Sequence, residues 1–116
     1  MRTVLGVLAA AMLLLAACTA AAPAAPPVDV RITNANDFSL HDIALKTGGS
    51  VKWTNDSAVG HTVTFTDSFR IPTDNGTFNK KVDVAASVSR TFPAAGTYLF
   101  YCQIHPGMQG TITVGP

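Results

Sequence analysis

Gly96-Thr97-Tyr98-Leu99-Phe100-Tyr101-Cys102-Gln103-Ile104-His105-Pro106-Gly107-Met108-Gln109-Gly110-Thr111-Ile112-Thr113-Val114, near the C-terminus, joins two strand-like runs through one tight loop. Thr97 to Cys102 is rich in aromatic residues and Gly110 to Val114 alternates Thr with Ile and Val, as a pleated, half-buried surface requires. Between them, Pro106-Gly107 forces the backbone to bend as it leaves the first strand. Cys102 and His105 stand three apart at that exit, and the bend lets Met108 return toward the same centre. A thiolate, an imidazole and a thioether thus fall within one short loop, all soft or borderline metal donors.

Cys and Met sulfurs select copper, and imidazole suits it too. One strong donor is still needed, and His61 is the candidate, at the head of the alternating run His61-Thr62-Val63-Thr64-Phe65-Thr66. Two His and one Cys in a trigonal set with a weak axial Met describe a blue-copper electron-transfer site. Each residue alone has a plainer reading: Cys102 as a small buried hydrophobe, His105 as a loop histidine, Met108 as a gap filler, His61 as half exposed. His41, beside Asp42 with no sulfur nearby, reads as surface or structural. Zinc competes as the metal, but it prefers Cys, His and carboxylates in a closed tetrahedron, where Met adds nothing.

Outward from this stretch the chain repeats short strand patterns. Val28-Asp29-Val30-Arg31-Ile32 alternates with period two, and Asn34-Ala35-Asn36-Asp37 interrupts it. Phe38 to Leu45 holds a second candidate strand before the turn Thr47-Gly48-Gly49-Ser50. Val51-Lys52-Trp53-Thr54 is stopped by Asn55-Asp56-Ser57, and His61 to Thr66 follows. Ser68 to Asn79, with Pro72, Asp74, Asn75 and Gly76, reads as a long irregular excursion. Lys81 to Val84 and Ser87 to Phe92 complete the set before the Pro93-Ala94-Ala95-Gly96 turn. About eight short strands with regular turn signals and no helical period predict an all-β sandwich or barrel, with one domain over residues 28–116.

Residues 1–17 read differently. Met1-Arg2 is a positive start, and Val4 to Ala17 is an almost unbroken apolar run, the pattern of a secretory signal and too short for a stable membrane span. Its end, Leu15-Ala16-Ala17-Cys18, resembles the bacterial lipoprotein cleavage motif, in which the Cys becomes the lipid-bearing N-terminus. The alternative is an ordinary cleavage nearby, with Cys18 discarded or left free. Residues 18–27 are an Ala/Pro-rich tether that can bury no core. The expected location is the periplasm or the outer face of a bacterial membrane, with membrane contact only through lipid on Cys18. The only two cysteines are Cys18 and Cys102, so if Cys18 is acylated or removed, Cys102 has no disulfide partner and metal ligation accounts for it. A formal net charge of +1 without charged blocks gives no basis for nucleic-acid binding or a strongly charged partner.

Gly96 to Val114 resembles the copper-binding signature of cupredoxins. Its short Cys-x-x-His-x-x-Met loop is most similar to that of amicyanins, and otherwise to plastocyanins with the loop shortened. Val51-Lys52-Trp53-Thr54-Asn55-Asp56 followed by His61-Thr62-Val63 resembles the family's approach to its first His ligand. The resemblance covers roughly Lys46 to Val114. It implies a Greek-key β-sandwich and one type 1 copper ion, with His61, Cys102 and His105 as equatorial ligands and Met108 axial. It also implies a carrier whose redox partners dock briefly near His105, Pro106 and Met108, where Pro106, Gly107 and Met108 would form an apolar face. A monomer is the default expectation, and with only three His in all the chain is not expected to be an enzyme. A copper module for storage or delivery would use the same ligands, and a metal-free adhesive sandwich would need none of them. Many relatives carry Asn directly after the first His, where it ties the two ligand loops together. Thr62 stands there in this chain, and Pro106 has no N–H to offer the Cys sulfur.

Overall fold

The period-two alternation of Val28 to Ile32 is realised as β1 (Val28–Thr33), which buries Val30 and Ile32 and leaves Asp29 and Arg31 outside. The computed structural model describes residues 24–65 and 78–116. The expected signal peptide, Cys18, most of the tether and most of the excursion from Ser68 lie outside the described residues.

Eight further strands follow: β2 (Asp37–Phe38), β3 (Asp42–Lys46), β4 (Ser50–Asn55), β5 (His61–Phe65), β6 (Asn79–Val82), β7 (Ser87–Thr91), β8 (Gly96–Tyr101) and β9 (Gln109–Gly115). They form two sheets, β2-β1-β4-β7 and β3-β9-β8-β5-β6. The described part is all-β, as expected. β1 pairs parallel with β4 and β3 parallel with β9, so consecutive strands cross between the sheets instead of forming only hairpins.

Several strand ends shift by a residue or two from the sequence reading, and two of the differences have a clear cause. β2 lies where a simple break was expected: Asn36 takes a left-handed φ of 55°, its N–H bonds to the Thr33 carbonyl at 3.1 Å, and the reversed chain pairs Phe38 with Ile32. Asn tolerates that conformation, so a tight turn replaces the break. β6 begins at Asn79, earlier than the expected Lys81, because its register is set by pairing with β5, from His61–Val82 to Thr64–Asn79.

Side chains from both sheets meet in a core of Val30, Ile32, Val51, Val63, Ile112 and the aromatics. Trp53 is fully buried and meets Phe100 and Phe65 edge-on, with ring centroids 5.4 and 6.0 Å away. Such pairs add to what burial alone contributes. Arg90 also faces inward, its guanidinium 4.2 Å from the Phe65 ring centroid and 5.0 Å from that of Phe92. The aromatic faces offset part of the cost of burying this cation, and burial pulls its pKa below the usual value despite the opposing influence of Tyr98.

The pairing register gathers the loops at two poles. The C-terminal ends of β1, β4, β6 and β8 and the starts of β3, β5, β7 and β9 lie at one pole, joined by Asn55 Nδ2–H to Val82 O at 3.0 Å and Thr111 N–H to His41 O at 2.6 Å. The other pole holds the start of β1, the β3–β4 turn and the β7–β8 turn, where Gly48 N–H donates to Phe92 O at 2.7 Å.

Candidate metal centre

β8 ends at Tyr101 and β9 begins at Gln109, and these two residues are register partners, so the loop between them must close on itself. Cys102 N–H donates to the Met108 carbonyl at 2.9 Å, and Met108 N–H to the His105 carbonyl at 3.3 Å. Gly107 carries the tight bend at φ 82°, a left-handed conformation that costs glycine little. The loop thereby folds Met108 inward, and the residue is 2% exposed. This corrects the expectation that Met108 contributes to a surface face: its side chain belongs to the interior.

β5 delivers His61 from the neighbouring strand. His61 Nδ1 lies 3.8 Å and His105 Nδ1 3.6 Å from Cys102 Sγ, and the imidazole centroids are 4.6 Å apart. The three ligand atoms lie within 4.8 Å of one another, and no carboxylate joins them among the described residues. Donor distances near 2.3 Å for sulfur and 2.0 Å for nitrogen place a sulfur and a nitrogen around one ion roughly 3.6–3.8 Å apart. The observed separations therefore fit a shared ion. His61 and Cys102 are buried and His105 is half-buried. His41 takes no part: it is exposed and pairs with Asp37 at 2.8 Å.

Thr62 resolves the departure at the position after His61. Its backbone N–H points at Cys102 Sγ at 3.4 Å, and its hydroxyl accepts from Gln103 N–H at 2.8 Å. The hydroxyl thus ties the His61 strand to the Cys102 loop. Its own proton is directed at Thr64 Oγ1, 3.1 Å away, because Thr64 donates onward to Asn79 Oδ1 at 3.0 Å. Asn79 Nδ2–H then returns to Gln103 Oε1 at 3.2 Å, closing a polar ring beside the thiol.

Two contributors escaped the sequence reading. Asn55 and Ser57 lie in a stretch that reads as a turn, yet both are buried, and Ser57 Oγ sits 2.8 Å from His61 Nε2. Only their place shortly upstream of the candidate ligand His61 could have signalled a role.

Burial, and after it the charge of His105, hold His61 below the ordinary histidine pKa. A lowered folded-state pKa means the unfolded chain binds the proton more readily, so stability falls as pH drops below about 6.5 and on through the folded value. For the metal-free protein we expect His61 to contribute a slope of up to ~1.4 kcal/mol per pH unit there. Urea unfolding at stepped pH checks this: an equal slope in His61→Phe would remove His61 as its source.

The family model for copper binding proteins of the plastocyanin/azurin family matches residues 28–115. A plastocyanin from Scenedesmus fuscus is 33% identical over 84 residues, covering 66% of this chain and 85% of its own. An amicyanin-alpha from Methylorubrum extorquens is 32% identical over 77 residues, covering 66% of this chain and 63% of its own. The crystal structure of amicyanin from Paracoccus versutus superposes with a TM-score of 0.67 at 26% identity, covering 78% of this chain and 83% of that one.

Proposed function

The chain belongs to the plastocyanin/azurin family of copper-binding proteins, the cupredoxins, and from that premise we propose that it is an exported, non-enzymatic carrier of single electrons. Its centre takes one copper ion. We assign His61, Cys102, His105 and Met108 as the residues that would hold it. The observation that carries this reading is the convergence of two imidazole Nδ1 atoms on one buried thiol. Bound copper would supply a one-electron couple. The chain's task is to hold the donors in one arrangement through both oxidation states, so that little energy goes into rearrangement. The Thr62 N–H, the Thr62–Gln103 tie and the closed 102–108 loop serve that task.

His105 is the electron exit, since it is half-buried while His61 is fully enclosed. Among the described residues the large exposed hydrophobics are Leu40, Val59, Val84 and Ile104, and all four sit on loops at the pole that holds the metal centre. With exposed Pro106 they supply the apolar face on which redox partners dock briefly, and Ile104, at 55% exposure, stands beside the exit. A small apolar contact of this kind suits a weak electron-transfer encounter between monomers.

Residues 1–17 act as a lipoprotein-type signal, and Cys18 carries the lipid. No helix among the described residues is long and apolar enough to cross a membrane. The chain enters β1 at the pole opposite the metal centre. A lipid on Cys18, upstream of that entry, would therefore leave the copper pole directed away from the bilayer.

The second reading, copper storage or delivery, needs a site that gives up its metal, whereas His61 and Cys102 are buried. Electron self-exchange between Cu(I) and Cu(II) forms, followed by NMR line broadening with a Cu(I) chelator present, separates the two. We expect rapid exchange with copper retained, and a roughly tenfold or greater slowing in Ile104→Asp, where like charges meet in each encounter. Loss of copper to the chelator on reduction would establish delivery instead.

A further inference from the structure

Ser57 stands on the β4–β5 loop between buried Asn55 and His61. The directions of its hydrogen bonds follow from counting protons. Asn55 Nδ2 faces two carbonyls, Val59 O at 2.8 Å and Val82 O at 3.0 Å, and must donate to both. The amide cannot be turned round, so Asn55 Oδ1 is an acceptor. It receives Ser57 N–H at 2.9 Å and lies 2.7 Å from Ser57 Oγ. Two oxygens at that distance need a proton between them, and only the hydroxyl has one to give. Val59 O, 2.9 Å from Oγ, is likewise acceptor-only. The single hydroxyl proton is therefore committed away from the imidazole. Toward His61 Nε2, Ser57 offers only a lone pair.

From this we infer that Asn55 and Ser57 set the tautomer of His61: Nε2 carries the proton and donates to Ser57, and Nδ1 is left with its lone pair facing Cys102 and the metal position. The opposite tautomer would press two lone pairs together at 2.8 Å inside a buried site, while the acceptor facing its Nδ1–H among the described residues would be the Cys102 sulfur, 3.8 Å away. Ser57 is thus a positioning residue that acts through His61. It prepares the ligand before metal arrives, which spares binding the cost of turning or re-protonating a buried ring. The inference rests on His61 being a ligand, but the tautomer itself exists in the metal-free protein and can be read there.

The test is an imidazole nitrogen–proton correlation spectrum of the ¹⁵N-histidine-labelled apo protein at neutral pH, paired with a competitive Cu(II) titration. We expect wild type to show one His61 form, protonated at Nε2, and Ser57→Ala to show a mixture with the Nδ1–H form. Copper affinity should fall by roughly 10- to 100-fold in the variant, the usual loss when a partner behind a ligand is removed. A wild-type His61 protonated at Nδ1 would overturn the inference without any variant. So would a Ser57→Ala protein that keeps both the single Nε2–H form and wild-type affinity, since a merely structural serine would change only thermal stability. Should wild type show the Nε2–H form but bind no copper through a thiolate, the tautomer assignment would stand and the electron-carrier reading would fall.

Discussion

Cys102→Ser is expected to abolish the intense long-wavelength absorption that the protein develops with Cu(II), while leaving the metal-free fold in place. The colour of such a centre requires a copper–thiolate bond, and a serine hydroxyl is a hard, protonated donor at neutral pH. Oxygen is close to sulfur in shape, and Cys102 is 4% exposed in a site where Thr62 N–H can still find an acceptor, so the apo protein should unfold at nearly the same urea concentration as wild type. The measurement is a visible spectrum after Cu(II) addition, then after a reductant. Wild type should colour and bleach; the variant should stay pale in both states. A pale wild type would sink the type 1 assignment, and a coloured variant would remove Cys102 as the ligand.

Gly110→Ala tests the frame that brings the ligands together. A Cβ at this position would overlap the Phe100 ring and lie 2.8 Å from the His41 carbonyl oxygen. Neither neighbour has room to retreat. Phe100 is fully buried, with Phe38 and Trp53 rings packed against it at 4.9 and 5.4 Å between centroids. The His41 carbonyl accepts Thr111 N–H at 2.6 Å, at the start of the β3–β9 pairing. We expect a loss of about 3 kcal/mol in urea unfolding, the upper range for overpacking a core. Copper binding should weaken with it, because Gly110 follows Met108 by two residues on the strand that closes the ligand loop. A loss below roughly 0.5 kcal/mol, the size of an ordinary surface change, would show that the β8–β9 contact is looser than these distances require.

Much of this centre was legible in one dimension because its densest part is local. Cys102, His105 and Met108 share one loop, and a bend at Pro106-Gly107 is enough to turn them toward a common point. The strand count was close for the same reason: alternation and turn residues act over a few positions. β2 was missed because two residues are too few to show a period. The apolar surface expected near His105 included Met108, which the structure buries, since whether that side chain points in or out depends on how the loop closes, not on its hydrophobicity.

The sequence by itself determined the donor types and the all-β class, because these depend on side-chain chemistry and short-range geometry. Only the tertiary structure decided how His61 meets Cys102 from 41 positions away, that Thr62 ties the His61 strand to the Cys102 loop, and that Asn55 and Ser57 stand buried behind His61. It also brought Leu40, Val59, Val84 and Ile104 to a single pole. Each of these is set by strand register and by the packing of one sheet on the other. A register is shared between distant segments, so no single stretch of chain carries it.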